Sequence, residues 1–307
     1  MVSPPPGLLL SSLRRSAQAA TLLAALTVAG AAAGTLPSHC RSWQSFARPG
    51  IFWRIQGHSG PRSYLLGTVH SDYRRVLSVA PSVESSLRRS SVFVMETRLT
   101  PQAIAALRRA MRLPQGNLPV ILGPALYARV RQAFVRRGWP TTTLAREAPW
   151  ALLMMLGVPQ EHGPVLDQVL ARNAHDLGIP VIGLESVKEQ IDALKQLPLS
   201  VQKSLLSDAL DQSPAKELRA LIRQYAAQNL RGLMRAAGDR RKPRSRVTRI
   251  FFRRLLHDRN RRMVARLLPI LARARTFVAV GALHLPGFLS RLGQAGYCGW
   301  PVRLRTP

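Results

Sequence analysis

Four short apolar runs, each ending in a polar residue, constrain the fold of this chain more than any other feature. Ser63-Tyr64-Leu65-Leu66 leads into Gly67-Thr68-Val69-His70, and Thr276-Phe277-Val278-Ala279-Val280 leads into Gly281-Ala282-Leu283-His284. Ser91-Val92-Phe93-Val94-Met95 leads into Glu96, and Ile179-Pro180-Val181-Ile182-Gly183-Leu184 leads into Glu185. Runs of this length and composition suit strands buried on both faces. Helical patterns separate them, as at Gln102–Arg112, Pro124–Arg137, Pro164–Leu177 and Val201–Leu210. Strand–helix alternation predicts an α/β fold, with a mainly parallel or mixed central sheet flanked by helices.

In open sheets of this kind, ligands sit beyond the carboxyl ends of the strands. Here those ends carry His70, Glu96, Glu185 and His284. Two imidazoles and one or two carboxylates form a plausible ligand set for a divalent metal with open positions. A carboxylate not used as a ligand could act as general base on bound water. Each glycine of the two GxxH elements would let the chain turn off its strand and let backbone approach a ligand. The plain alternative is that these side chains bond loop backbone and nothing else.

The segment Thr248–Ala272 reads as one long amphipathic helix with Phe252, Leu255, Leu256, Met263, Leu267 and Ile270 on its apolar side. Arg259 falls one turn after Leu255 and one turn before Met263, inside that stripe. A buried guanidinium is costly unless paired, so Arg259 is expected to meet a carboxylate at the sheet edge or a substrate anion. Asn260 lies at the edge of the stripe, while Arg253, Arg254, Arg261 and Arg262 flank it or point away. His257 points elsewhere on the helix, and His175 and His162 lack a partner, so all three read as structural or exposed.

Charge is the second constraint. Lys and Arg number 45 against 15 Asp and Glu, a net +30, and only five of the 45 are Lys. Arg231 to Arg275 holds 16 basic residues against Asp239 and Asp258. Such a surface attracts anionic membranes, acidic polysaccharide or nucleic acid. No interleaved aromatics and no zinc-finger or helix-turn-helix pattern accompany it, so specific nucleic-acid recognition is not expected. Arg231–Arg249, with Gly238, Pro243 and Ser245, reads as a flexible basic loop.

Residues 1–33 read as a secretory signal peptide. Arg14 and Arg15 precede an uncharged Ala- and Leu-rich stretch over Ser16–Ala33, with Ala31 and Ala33 forming a small-x-small exit. An uncleaved anchor is the alternative, since the stretch is near spanning length. Residues 34–49 would be a linker and 50–307 a single domain, in a protein that is exported, periplasmic or secreted. Export would allow a disulfide between the two cysteines, Cys40 and Cys298. It would close a loop of about 258 residues and add on the order of 4–5 kcal/mol by the chain-entropy model. Two buried thiols are the alternative.

The chain resembles TraB/GumN proteins, which include the Tiki-type metalloproteases. The resemblance begins at Trp53-Arg54-Ile55 and the first GxxH element, and continues through Val94-Met95-Glu96-Thr97 and Leu166-Asp167. It runs on through Gly178 to Ser186 with Glu189-Gln190, and closes with Asp258-Arg259-Asn260, Val280 to Gly287 and Gly296-Tyr297. It covers roughly residues 50–304. Ser186 stands where Thr is common in the family, and Ala282 where Gly is common. The resemblance implies an erythromycin-esterase-like fold and divalent-metal-dependent peptide cleavage. Carried over by position, His70 and His284 would bind the metal (Mn²⁺, Co²⁺ or Zn²⁺). Glu96 and Glu185 would divide the ligand and general-base roles. Arg259 would hold a carboxylate or stabilise an oxyanion, and Asn260 is a further polar element of the site.

The expected function is an exported metal-dependent hydrolase of peptidase type, acting on a peptide or protein. Two other readings stay open: a non-catalytic binding or regulatory protein using the same cleft, and an accessory protein of envelope polysaccharide work docking through the basic surface.

Overall fold

A computed structural model describes residues 50–58, 60–156, 163–238 and 245–304. The expected signal segment, linker and Cys40 lie outside these residues, as does His162. Six strands form one sheet in the order β4-β3-β5-β2-β1-β6. They are β1 (Phe52–Gln56), β2 (Ser63–Thr68), β3 (Val92–Thr97), β4 (Val181–Glu185), β5 (Thr276–Gly281) and β6 (Cys298–Pro301). β2, β3, β4 and β5 run parallel to one another. β1 pairs antiparallel with both β2 and β6, so the sheet is mixed and β1 alone is reversed. The four strands expected from sequence are the four parallel ones.

β5 is central, and all six of its residues are buried. β4 is an edge strand and leaves Ile182 exposed. Alternation along each strand sends neighbours to opposite faces. Leu66, Phe93 and Phe277 face a layer built from the helices Val79–Arg88, Leu166–Asp176 and Pro214–Ala226. There Phe277 stacks on Phe52 and Phe93 at centroid distances of 6.0 and 5.9 Å. Leu65, Val94, Val278 and Val280 face the helices Asp258–Arg273 and Leu285–Gln294. A third core lies off the sheet. It joins helices Pro101–Ala110, Pro124–Arg136, Pro149–Leu156, Val187–Lys195 and Leu199–Asp211.

Two segments depart from the sequence reading. The expected loop over Arg231–Arg249 is helical at both ends, in Leu230–Gly238 and Arg246–Phe252; residues 239–244 lie outside the described set. Leu230 and Leu233, one turn apart and both buried, anchor the first of these helices. The long helix is also not uniform. Arg253–His257 is a π-turn between Arg246–Phe252 and Asp258–Arg273. A π-turn inserts a residue into the helical phase and often marks a functional site. Phe251, Phe252, Leu255 and Leu256 pack in the off-sheet core, whereas Met263, Val264 and Leu267 pack against the sheet. The turn lets one helix serve both cores, and Arg259 follows it at once.

Among the described residues, no helix is long and apolar enough to cross a membrane.

Candidate metal centre at the carboxyl edge of the sheet

The adjacent parallel strands β2 and β5 carry the two GxxH elements past the same edge. Thr68 pairs with Gly281 in the ladder, so His70 and His284, two and three residues further on, emerge side by side. His70 is close enough to act electrostatically on both His284 and Glu96. Glu96 leaves β3, the other neighbour of β5. Glu185 ends β4 opposite Thr97.

Arg259 enters from the helix Asp258–Arg273, with 2% of its surface exposed. Its expected carboxylate partner proves to be two. Nε donates to Glu185 Oε2 at 2.8 Å and Nη2 to Glu96 Oε2 at 2.6 Å, and Nη1 faces the Leu255 carbonyl at 3.5 Å. Arg262, placed by sequence outside the stripe, donates to the remaining Glu185 oxygen at 2.5 Å. Both oxygens of Glu185 are thus held by guanidinium groups. Two cations and two carboxylates balance in a buried network, which makes such a cluster tolerable. A turn further along, Arg266 reaches the Leu184 carbonyl at 2.7 Å and both oxygens of Glu189. Glu189 also closes a capping box with Ser186, which starts the helix Val187–Lys195 directly after β4.

Glu96 Oε1 accepts the Gly281 N–H at 2.6 Å and lies 3.7 Å from His284 Nε2. Burial pushes the Glu96 carboxyl up, but His284, Arg259 and the Gly281 N–H outweigh it and hold the group at about 2. His284 is fully buried. Burial pulls its imidazole down to about 4, with Glu96 opposing and Arg259 and His70 assisting. Glu96 is therefore ionised and His284 neutral at neutral pH. Asn260 Oδ1 lies 2.5 Å from His284 Nδ1. A carbonyl oxygen can only accept, so Nδ1 carries the proton and Nε2 presents its lone pair. That Nε2 is buried and has no hydrogen-bond partner.

The second imidazole is backed in the same way from the other face of the sheet. His70 Nδ1 stands 3.1 Å from Asp167 Oδ2, and Asp167 Oδ1 accepts the Thr68 hydroxyl at 2.6 Å. Both atoms of the His70–Asp167 contact are buried, and neither has another partner. Tyr225 OH donates to the Gly67 carbonyl at 2.9 Å and fixes the start of this corner.

The site thus gathers His70, His284, Glu96, Glu185, Arg259 and Asn260. His257 is exposed, and so is His175, which lies beside Asp176. Sequence reasoning missed Arg262, Tyr225, Gln190 and the Thr68–Asp167 bond. The signal for Arg262 was its spacing of three from Arg259, one helical turn on the same side. Nothing local marks Tyr225, which lies 158 residues from the glycine it supports.

Among the described residues, no three His, Cys, Asp or Glu side chains stand close enough to cage an ion as they are. The donor chemistry nonetheless fits one. A metal-bound histidine characteristically gives its other ring nitrogen to a carboxylate or carbonyl. Asn260 and Asp167 provide that support, and Glu96 Oε1 beside the orphaned His284 Nε2 adds an anionic oxygen. Cys298 is buried in β6, remote in register from this edge.

Known proteins resemble this chain in sequence. The TraB/PrgY/gumN family model matches residues 51–298. Metalloprotease TIKI1 of Danio rerio is 30% identical over 63% of this chain and 46% of its own length. Metalloprotease TIKI2 of Xenopus tropicalis is 28% identical over 80% of this chain and 58% of its own. Metalloprotease TIKI1 of Homo sapiens is 27% identical over 59% and 42%. The chain therefore spans about half the length of the curated relatives it matches. No solved structure matches it. The family match covers every strand-end residue described above, and the chain belongs to the TraB/PrgY/gumN family.

Proposed function

We propose that the chain is an exported metal-dependent peptidase. The observation that carries this reading is the His284 Nε2: buried, neutral, unpartnered and 3.7 Å from an ionised carboxylate oxygen. A lone pair in that position is costly unless something electrophilic meets it. The names of the relatives, metalloproteases TIKI1 and TIKI2, agree with a divalent cation and with a peptide or protein substrate.

In this reading His70 and His284 donate through Nε2, and Glu96 through Oε1. A carboxyl group held near 2 is a weak proton acceptor at neutral pH, which suits Glu96 to the ligand role over the general-base role. Arg259 has Nε and Nη2 committed to carboxylates, so it fixes Glu96 and Glu185 and does not serve as an oxyanion donor. Glu185 holds Arg259 and Arg262 in place. Asn260 and Asp167 set the tautomer and orientation of the two rings. Once bound, a divalent ion such as Mn²⁺, Co²⁺ or Zn²⁺ would polarise the scissile carbonyl and acidify a water. His70, with 16% of its side chain exposed, marks the side from which substrate enters.

Peptide-library cleavage with Mn²⁺, Co²⁺ and Zn²⁺, run beside His284→Ala, tests the proposal. The expected result is cleavage with at least one ion, lost in the variant. Cleavage that persists in both His70→Ala and His284→Ala would overturn it. In the same reading Cys298 bridges Cys40, and residues 1–33 direct export; a mass shift on alkylation only after reduction checks the bridge.

A further inference from the structure

A small apolar cavity opens beyond the carboxyl ends of β3 and β4, on the flank of the site away from β5. It has a volume of about 20 Å³ and is lined by Leu99, Leu107, Met154, Ile191 and Leu194, with Val187 and Gln190 at its wall. Leu99 follows Glu96 by three residues and is 37% exposed, which makes it the rim. The other aliphatic side chains in the lining are buried. Gln190 links the cavity to the reaction centre, because its Nε2 lies 3.5 Å from Glu96 Oε2.

We propose that this cavity is a substrate subsite that takes a methyl-sized side chain, that of Ala, from a residue beside the bond to be cut. The inference rests on the peptidase reading above. Three observations support it. The lining is aliphatic, with no charged side chain, so the occupant is uncharged and apolar. The volume has room for about one methyl group, and for neither a branched side chain nor an aromatic ring. Apolar cavities of this kind stay dry, and an empty one forfeits packing, so an incoming methyl group recovers contacts that water cannot make. The Gln190 amide stands between the cavity wall and Glu96.

The test has two arms on the full-length chain. In the first, methionine methyl groups are labelled with carbon-13, and the Met154 resonance is identified by its loss in Met154→Leu. N-acetyl N-methylamides of Gly, Ala, Val and Phe are then titrated. Ala is expected to shift the Met154 signal and to bind about tenfold more tightly than Gly, the discrimination that one added carbon gives in an apolar pocket. Phe is expected to leave the signal in place. Leu99→Trp, which adds bulk at the exposed rim, is expected to abolish the Ala shift. Equal shifts for Gly and Ala, no shift with any amide, or a shift retained in Leu99→Trp would overturn the subsite. In the second arm, the peptide library is read for residue preference with wild type and Leu99→Ala. Preference is expected to move from Ala towards larger side chains in the variant, and an unchanged profile would also overturn the subsite. Absence of all cleavage would sink the peptidase reading while the Met154 titration still decides the subsite.

Discussion

The two GxxH corners share their spacing and little else. At the β5 corner the glycine is a donor. Gly281 gives its N–H to Glu96, and a single 3₁₀ turn, Ala282–His284, carries the imidazole to full burial against Asn260. At the β2 corner the glycine makes room. A Cβ on Gly67 would lie 2.8 Å from the Ala282 Cα and 2.5 Å from the Leu285 Cδ1, so this glycine is needed for the β5 corner to pack against it. His70 stays partly exposed, with its Nδ1 towards Asp167. One motif thus builds a dry, ionic half and a half that opens to solvent, interlocked through Gly67. The first holds its imidazole in a fixed, buried setting, and the second leaves an imidazole open to solvent.

The largest difference between the halves is expected in stability. Arg259→Met takes from buried Glu96 its guanidinium partner and leaves Glu185 with Arg262 alone, and loss of a buried ion partner costs about 3–5 kcal/mol. Asp167→Asn, the matching change at the β2 corner, keeps its shape and its bond from Thr68. It should cost about 1 kcal/mol. Urea unfolding of both variants measures the gap, and equal losses would break the comparison. Next comes Gly67→Ala. Overpacking against backbone is expected to cost about 1–3 kcal/mol. Combining it with Leu285→Ala should recover part of that loss, a coupling of at least about 0.5 kcal/mol in a double-mutant cycle. Strict additivity would mean that the corners are not interlocked there.

The halves should converge in one respect. Asn260→Ala and Asp167→Ala each remove the support behind one imidazole, and such changes typically weaken divalent-ion binding about 10–100-fold. Calorimetric titration with Zn²⁺ or Mn²⁺ checks both. If Asp167→Ala leaves affinity unchanged, the β2 imidazole does not depend on that carboxylate, and the two corners differ in chemistry as well as in exposure.

How far this was legible in the sequence follows from the same contrast. His70, Glu96, Glu185 and His284 each close an apolar run, so strand periodicity located them. Arg259 was legible because a cation in an apolar stripe demands a partner. β1 and β6 carried no such mark: Cys-Gly-Trp-Pro is four residues with two poor strand formers, and it becomes a strand through its pairing with β1. The helix at Leu230–Gly238 was masked by Gly238 and Pro243, which outweighed the Leu230/Leu233 spacing in a local reading. The π-turn at Arg253–His257 is a shift in hydrogen bonding, and no residue type encodes it. Its trace is that Leu255 and Met263, on one nominal stripe, serve different cores. Asp167 sat unassigned on a helix because its partners, Thr68 and His70, lie about a hundred residues earlier.

The smallest expected effects separate the corners by pH, in metal-free protein. Tyr225 supports the β2 corner. Burial, with Asp167 adding, pushes its phenol well above the ordinary value of 10.0. Above pH 10 the unfolded chain therefore sheds a proton that the folded chain keeps, and stability falls as pH rises. Tyr225→Phe should cost about 1 kcal/mol at neutral pH, the worth of one hydrogen bond, and should flatten that alkaline decline. The β5 corner fails at the other end. His284 is held at about 4 against an ordinary 6.5, so the unfolded chain takes up the proton first and stability is lost as pH falls from about 6.5 towards 4. Glu96, held at about 2 against 4.5, extends the acid decline below that. His284→Gln is expected to flatten the upper part of the acid limb and leave the alkaline limb alone, whereas Tyr225→Phe should do the reverse. Urea midpoints from pH 3 to 11 would show it. A crossed result, with Tyr225→Phe altering the acid limb, would mean that the two corners unfold as one electrostatic unit and that their division into a dry half and an open half holds only for geometry.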